Sequence, residues 1–235
     1  MAEMINEIFR LSPISGMLLT IGCYWVGMVF YGKTNWTFFQ PVITASVIII
    51  AFLYYAEIPY DVYYEQNVIL NQTLPLTAVA LAVPLYRSLD ILKRHALPIL
   101  AGIAAGTLAT MGVLLAVCRL MGTDERILIT MLPKSATNPI AVEIAGIVGG
   151  IPSLTASLVV ITGIVGGVCG PELLRLMRVK NEVAKGIAIG TISHAIGTAR
   201  AFKESEVQGS MSGLAIALAG VLTALLTPAF ILLLL

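Results

Sequence analysis

The sequence predicts an all-α polytopic membrane protein with about six spanning helices and a single transmembrane domain over residues 1–235. Of its 235 residues, 58% are hydrophobic and 11% are charged, about half the charged share of an average soluble domain. Uncharged apolar runs of membrane-spanning length recur along the chain. Two polar breaks, at 133–139 and 190–200, interrupt these runs and predict broken or re-entrant half-helix hairpins.

Five apolar runs predict spanning helices in order along the chain: 14–31, 42–56, 97–117, 151–170 and 211–235. A further apolar run, 74–86, is short and contains Pro75 and Pro84, so we expect an interruption there as well. Cys23, Cys118 and Cys169 all lie in apolar segments, which predicts buried, inert thiols.

Lysine and arginine counts assign the loops to the two sides of the membrane. The basic loops 87–96 and 175–185 are expected in the cytoplasm, and the acidic loop near Asp61 outside the cell. Two cytoplasmic loops must be joined by an even number of crossings, and the spans 97–117 and 151–170 already supply two. The break at 133–139 between them must then enter and leave on one side, as a re-entrant hairpin in the cell inner (plasma) membrane.

A weak sequence similarity between two segments of the chain indicates an internal repeat. The stretch at 75–83 (Pro-Leu-Thr-Ala-Val-Ala-Leu-Ala-Val) and the stretch at 138–145 (Asn-Pro-Ile-Ala-Val-Glu-Ile-Ala) are each followed by a glycine-rich span. The charge argument makes those two spans run in opposite directions. Inverted repeats with interrupted helices are typical of secondary transporters. Chance similarity between apolar segments is the alternative interpretation.

The first break combines a cation with small polar side chains. Lys134 at the bilayer centre would cost about 2.5–3.5 kcal/mol without a partner, so it is either a counter-charge for an anionic substrate or a lysine that snorkels to the interface. Ser135, Thr137 and Asn138 add hydroxyl and amide donors. Asn138 as cap and Pro139 as first residue predict a helix start whose free N–H groups face an anion. These groups predict a carboxylate site, unless they only seal a broken helix.

The second break contains one of the two histidines of the chain. The ordinary pKa of a histidine suits proton coupling at His194, although a lone histidine in an apolar setting is also a common packing residue. Ser193, Gly197 and Thr198 surround it and complete this part of the predicted substrate site. Arg200 ends the segment, either as a bidentate clamp for a carboxylate or as a snorkelling residue at the cytoplasmic face.

Glu143 is the acidic residue that follows the first break. It is a candidate for proton coupling together with His194. Other interpretations are a pair with Lys134 or a charge that repels dicarboxylates. A simple structural ion pair is an equally good alternative to these functional roles.

Several functional classes are excluded by the motifs that the sequence lacks. The Gly-x-Ser-x-Gly, His-Glu-x-x-His and Walker A patterns are absent, so we predict no enzyme activity. No CxxC or Cys/His spacing indicates a metal site, and no cofactor is predicted. A formal net charge of +1 argues against a nucleic-acid partner.

The chain resembles the LrgB/CidB family of membrane proteins over nearly its whole length. The resemblance rests on Pro-Lys-Ser-Ala-Thr-Asn-Pro-Ile-Ala at 133–141, Gly-Gly-Ile-Pro-Ser-Leu-Thr at 149–155 and Ser-His-Ala-Ile-Gly-Thr-Ala-Arg at 193–200. The sequence departs from the family in having Gln66-Asn67 in place of a Gly-Gly pair, and Leu74-Pro-Leu-Thr77 in place of Leu-Gly-Pro-Ala-Thr. Thr77 is counted among the predicted substrate-binding residues.

The resemblance implies two functions. Bacterial members are described as antiholin- or holin-like modulators of murein hydrolase activity and autolysis, usually with an LrgA/CidA-type membrane partner. A plastid relative resembles a glycolate/glycerate transporter, and some bacterial pairs resemble pyruvate carriers. Because two membrane-depth breaks, a lysine and a histidine are not needed for a simple pore, the sequence favours transport of a small monocarboxylate such as glycolate, glycerate, pyruvate or lactate. Membrane lipid and a second copy of the chain are further expected partners.

Overall fold

The computed structural model describes residues 14–34, 39–80 and 89–232, together with Glu7, Phe9, Ser12, Val83 and Tyr86; the side chains at 74, 75, 77 and 78 lie outside the description. These residues form helices and connecting turns, with no β-strand among them. Four of the helices are long and apolar enough to cross a membrane: Ser15–Thr34, Ala96–Leu120, Pro152–Leu176 and Glu206–Leu232. The prediction of an all-α polytopic membrane protein is confirmed.

The chain divides into two compact units, Met1–Leu74 and Pro75–Leu235. The described helices of the first unit are α1 (Ser15–Thr34), α2 (Pro41–Tyr55), α3 (Tyr60–Glu65) and the start of α4 (Val68–Ala80). Those of the second unit are α5 (Leu89–Arg94), α6 (Ala96–Leu120), α7 (Glu125–Met131), α8 (Asn138–Ile147), α9 (Pro152–Leu176), α10 (Glu182–Glu204) and α11 (Glu206–Leu232). That the two units form a single domain stays a prediction.

In the first unit, α1 and α2 form an antiparallel pair around a small apolar core of Cys23, Ala45 and Ile49. α2 has fifteen residues and is shorter than the long spans, although its proline at the first turn is well placed to begin a helix. The fourth helix continues past Pro75 to Ala80, so the interruption expected there is absent. Pro84 lies outside the described residues.

Gln66 and Asn67 tie α1 to the helices that follow it. Ser15 Oγ donates to Gln66 Oε1 at 2.6 Å, and Thr20 Oγ1 donates to Asn67 Oδ1 at 3.0 Å. Asn67 Nδ2 also donates to the Tyr63 carbonyl at 2.7 Å. Satisfied polar side chains of this kind hold apolar helices in one register. Gln66 and Asn67 therefore hold α1 against the helices that follow it.

The core of the second unit lies between α6, α10 and α11. One apolar cluster joins Ile99 and Ile103 of α6 to Met211 and Leu214 of α11. Another surrounds the fully buried Leu132 with residues further along α6. Leu132 begins a short 3₁₀ turn, Leu132–Ser135, that follows α7. The turn is thus anchored in the centre of the bundle, which fixes the position of Lys134.

The break predicted at 133–139 is present. The helical path ends with the 3₁₀ turn, and α8 begins again at Asn138. The chain then doubles back, because the Ile151 N–H donates to Thr130 Oγ1 at 2.9 Å and Thr155 Oγ1 donates to the Thr130 carbonyl at 2.8 Å. Thr130 is completely buried. These bonds close the first hairpin.

The break predicted at 190–200 is also present, at His194 within α10. A straight helix over these 23 residues would be roughly 33 Å long. Yet Ser205, just beyond its end, donates a hydrogen bond of 2.7 Å from Oγ to Glu182 Oε2 at its start. The two halves of α10 therefore fold back on each other, with His194 at the turn. We call them the first and second halves of α10.

Candidate functional site

The tips of the two hairpins touch. His194 Nε2 lies 3.0 Å from the backbone carbonyl oxygen of Lys134, and the His194 side chain is 4% exposed. A carbonyl oxygen only accepts, so Nε2 carries the proton and donates. The sequence predicted that these two breaks lie together, and the structure places them in direct contact.

His194 has an unusual backbone conformation, with φ of 50° and ψ of −144°. Residues other than glycine rarely adopt these backbone angles, and holding one there costs of order 1–3 kcal/mol in stability. The Thr198 hydroxyl donates to the His194 carbonyl at 2.9 Å and shares a hydrogen bond of 2.6 Å with Ser212 Oγ of α11. The surrounding bonds hold the turn and aim the imidazole at the first hairpin.

Glycines bring the neighbouring helices close to this turn. A side chain at Gly166 of α9 would collide with Ser193 Oγ, and its Cβ would lie 2.8 Å from Ser193 Cβ. A side chain at Gly190 would collide with the backbone carbonyl oxygen of Ser212. Only glycine fits at these two positions. The segment around His194 is therefore packed closely against α9 and α11.

Lys134 and Ser193 open into one cavity of about 490 Å³ between α9 and the first half of α10. Among the described residues, no carboxylate lies within ion-pair distance of Lys134. The side chain is half-buried. An unneutralised ammonium group in an apolar bundle attracts an anion. The remaining walls are mostly apolar, with Thr162, Cys169, Ile161 and Val165 of α9 among them.

A second cavity of about 510 Å³ lies on the other side of the first half of α10, against α6. Its polar lining residues are His95, Asn181 and Thr191, and no lysine, arginine or carboxylate lines it. The first half of α10 is thus flanked by cavities on two sides. The Lys134 cavity is the one with the fixed charge that an anion needs.

Four buried side-chain oxygens of the second unit have no hydrogen-bond partner in the described part of the chain. They are Thr107 Oγ1, Thr137 Oγ1, Asn138 Oδ1 and Thr223 Oγ1. Thr137 and Asn138 lie at the break itself, while Thr107 and Thr223 lie on α6 and α11, two helices that contact the 3₁₀ turn. Buried polar groups without partners cost about 1–3 kcal/mol each. Two of the four, Thr137 Oγ1 and Asn138 Oδ1, therefore place unsatisfied polar atoms at the break itself.

The structure corrects the predicted cap of α8. The helix begins at Asn138, with Thr137 in the N-cap position and no side-chain cap bond. Pro139 is therefore in the first turn rather than at the first position. The helix starts one residue early because Asn138 already has helical geometry. Ser135 is 3% exposed, and Gly197 is also buried, at a position where an added side chain would collide with Ser193.

Of the predicted substrate-binding residues whose side chains the structure describes, Lys134 and Ser193 line this cavity, whereas Ser135, Thr137, Asn138, His194, Gly197, Thr198 and Arg200 do not. Arg200 forms an ion pair of 2.7 Å with Glu204, one helical turn away, and is absent from the cavity lining. Glu143 is exposed on α8 and forms no ion pair with Lys134. The Thr77 side chain lies outside the described residues. The functional roles assigned to these three residues stay predictions.

Thr162 and Cys169 were missed by the sequence reasoning. The prediction of a buried thiol is wrong for Cys169, which is exposed, whereas Cys23 and Cys118 are buried. Both missed residues lie in an uncharged span, where an isolated threonine or cysteine gives no periodic signal. Only the packing of α9 against α10 shows that they line the same cavity as Lys134.

The open end of the second hairpin is closed by a polar cluster. Glu182 accepts hydrogen bonds from Ser205 Oγ at 2.7 Å and Gln208 Nε2 at 2.8 Å, and Lys185 Nζ lies 3.3 Å away. The bonds from Ser205 and Gln208 are the main reason that the pKa of Glu182 is lowered to about 2. The carboxylate is therefore charged at all physiological pH values and keeps the two ends of α10 together.

Comparison with known proteins identifies the family. The family model of the LrgB-like family matches residues 20–233. The chain is similar to the uncharacterized protein YxaC of Bacillus subtilis (strain 168), with 35% identity over 212 residues that cover 90% of this chain and 92% of the relative. No solved structure matches the chain. The two broken hairpins and the polar sequences at their tips thus belong to a member of the LrgB-like family.

Proposed function

We propose that this chain transports small monocarboxylates across the cell inner membrane, with the carboxylate held beside Lys134. The observation that carries the proposal is the half-buried ammonium group, without a carboxylate partner, that opens into a cavity at the contact of two broken helices. A buried charge of this kind is costly unless an opposite charge joins it. A single lysine favours one carboxylate group over two.

The hairpin tips supply further binding groups. The N-terminus of α8 carries free N–H groups and the positive end of the helix dipole, both of which stabilise an anion. Ser193 Oγ faces the Lys134 cavity, while the unpartnered Thr137 hydroxyl lies at the start of α8. We infer that a substrate or water bound near the tips supplies hydrogen-bond partners for Thr137 and Asn138.

The two hairpins resemble the halves of an inverted arrangement, and we infer that they enter the membrane from opposite sides. The base of the second hairpin lies next to the basic loop 175–185, which favours the cytoplasm. The first hairpin begins beside the acidic residues Asp124 and Glu125. Opposed interrupted helices that meet near the midplane support alternating access in secondary transporters.

Partners and coupling extend this proposal. We infer that an LrgA/CidA-type membrane protein and a second copy of the chain assemble with it. The imidazole of His194 and the exposed carboxylate of Glu143 are the proposed proton-coupling groups. The proposal involves no chemical conversion of the substrate.

The alternative is a modulator of murein hydrolase activity and autolysis. Association of apolar helices, as in a holin-type pore, requires neither an unpaired lysine nor a strained histidine turn. Strained residues persist where function requires them. We therefore prefer transport, with any effect on autolysis following from altered acid flux.

Uptake of radiolabelled organic acids into proteoliposomes, with and without an LrgA-type partner, tests the proposal. We expect Lys134→Ala to lower initial uptake roughly 10- to 100-fold, since a hydrogen bond to a charged group contributes about 1.5–3 kcal/mol. Lys134→Arg retains part of the activity. Lys180→Ala, which removes the same charge from an exposed loop residue, leaves uptake unchanged. Full uptake by Lys134→Ala contradicts the proposed site.

A further inference from the structure

The Lys134 cavity is larger than a two- or three-carbon acid requires. Its volume is about 490 Å³, whereas pyruvate occupies roughly the space of three or four water molecules, about 100 Å³. Sites for larger organic ligands typically measure about 300–1,000 Å³. The residues that line the remaining volume indicate what kind of chemical group fits there.

The polar groups of this cavity lie at one end. Ser193 and Lys134 belong to the hairpin tips, and Thr162 is next to Gly163, whose Cβ position lies 3.3 Å from the Ser193 carbonyl oxygen. From Thr162 the cavity follows α9 to Leu174, roughly 18 Å along the helix axis. The lining in that direction is apolar and consists of Leu173 and Leu174 from α9, Met177 just beyond its end, and Ala188 and Ile189 from α10. The cavity is an open groove at this end, since Leu173 is 54% and Met177 72% exposed.

We propose that the preferred substrate is a monocarboxylate with an apolar tail, such as a branched-chain 2-keto acid, rather than a two- or three-carbon acid. This inference rests on the proposed function, since it assigns the carboxylate to Lys134. The tail extends along α9 away from the hairpin tips. A buried CH₂ group is worth about 0.8 kcal/mol in water-to-apolar transfer, which is about fourfold in affinity.

Cys169 provides a native reporter for this cavity. It is the exposed cysteine among the three, and it lines the same cavity as Lys134. The full-length protein in lipid nanodiscs is treated with a membrane-impermeant methanethiosulfonate, and the rate of Cys169 modification is measured against acid concentration. A Cys169→Ser variant gives the background from Cys23 and Cys118.

We compare pyruvate with 4-methyl-2-oxopentanoate, which has the same head group and three more carbons. We expect the longer acid to protect Cys169 at a concentration at least tenfold lower. The uncharged 4-methylpentanamide should not protect, because it lacks the carboxylate. Lys134→Ala should abolish protection by both acids.

A pair of tryptophan substitutions separates the tail from the head group. Leu173 lines the apolar end of the groove and is 54% exposed. Leu173→Trp adds bulk to that wall and should raise the half-protecting concentration of the longer acid at least tenfold, while that of pyruvate stays within twofold. Leu176→Trp is the matched control, because Leu176 is 79% exposed on the same helix and does not line the cavity.

The outcomes distinguish the two proposals. Equal or better protection by pyruvate overturns the tail preference and leaves monocarboxylate transport intact. No protection by any acid, together with full uptake by Lys134→Ala, rejects both. A Cys169 that is unreactive in nanodiscs but reactive in detergent indicates that lipid fills the cavity, which overturns the tail assignment.

Discussion

The imidazole of His194 and the backbone carbonyl of Lys134 are joined by a hydrogen bond of 3.0 Å, although they are 60 residues apart in the chain. Each residue lies at the tip of a broken helical hairpin. Since the bond uses the Lys134 backbone, its ammonium group stays available for another partner. One contact thus joins the two hairpins and leaves the charge at the cavity.

The strained turn at His194 leads to the first prediction. His194→Gly relieves the cost of the positive φ, about 1–3 kcal/mol, but removes the bond to Lys134. We expect a folded protein, with melting temperature near or above that of the wild type, whose uptake falls at least tenfold. His194→Ala loses the bond and keeps the strain, so it should melt at a lower temperature than His194→Gly. Equal melting temperatures for both variants argue against strain at this turn.

Gly166 provides a test of the packing around the second hairpin. Gly166→Ala places a Cβ against Ser193 and forces α9 away from the turn, which should destabilise the protein by about 1–3 kcal/mol. Gly170→Ala, one helical turn further, is the control, because its Cβ would meet its nearest neighbours at 4.0 Å. Thermal unfolding in detergent measures both. If Gly170→Ala lowers the unfolding free energy as much as Gly166→Ala does, the close approach of α9 to Ser193 is contradicted.

Thr130 closes the first hairpin, and Thr130→Val should weaken that closure. The substitution keeps the shape of the side chain but removes the acceptor for the Ile151 N–H. We expect a loss of about 1–3 kcal/mol in unfolding free energy, the cost of an unsatisfied buried group, and faster amide exchange at Ile151. Thr110→Val is the matched control, since the Thr110 hydroxyl bonds only to Gly106 of its own helix. Unchanged exchange at Ile151 speaks against this role of Thr130.

The lowered pKa of Glu182 at the base of the second hairpin predicts how the stability of the protein depends on pH. Because the pKa of Glu182 is lowered to about 2, the carboxylate is charged above its unfolded-state pKa of about 4.3. Its contribution to stability is complete there and is lost only as the pH falls toward 2. Glu182→Gln should therefore lower the melting temperature by a few degrees, equally at pH 5.5 and pH 8. If the difference in melting temperature between the wild type and Glu182→Gln changes between pH 5.5 and pH 8, the lowered pKa is contradicted.

The sequence alone determined the class of the protein and the positions of its two breaks. Apolar runs without charges require a membrane. A single proline does not end a helix here, since Pro171 and Pro228 lie inside α9 and α11, whereas two prolines with mostly polar residues between them favour the break at 133–139. The polar character of the His194 segment was also visible in the chain. These are local properties, which depend on a residue and its neighbours in sequence.

Only the tertiary structure decided which groups meet. Lys134 and His194 come together because both hairpins double back, and that folding depends on contacts such as Glu182 with Ser205 that have no sequence period. The same packing pairs Arg200 with Glu204 instead of with the cavity, and it places the exposed Cys169 in the wall of the cavity that Lys134 also lines. Contacts between distant segments follow from how helices pack, and glycine positions such as Gly166 show their importance only once the neighbouring helix is in place.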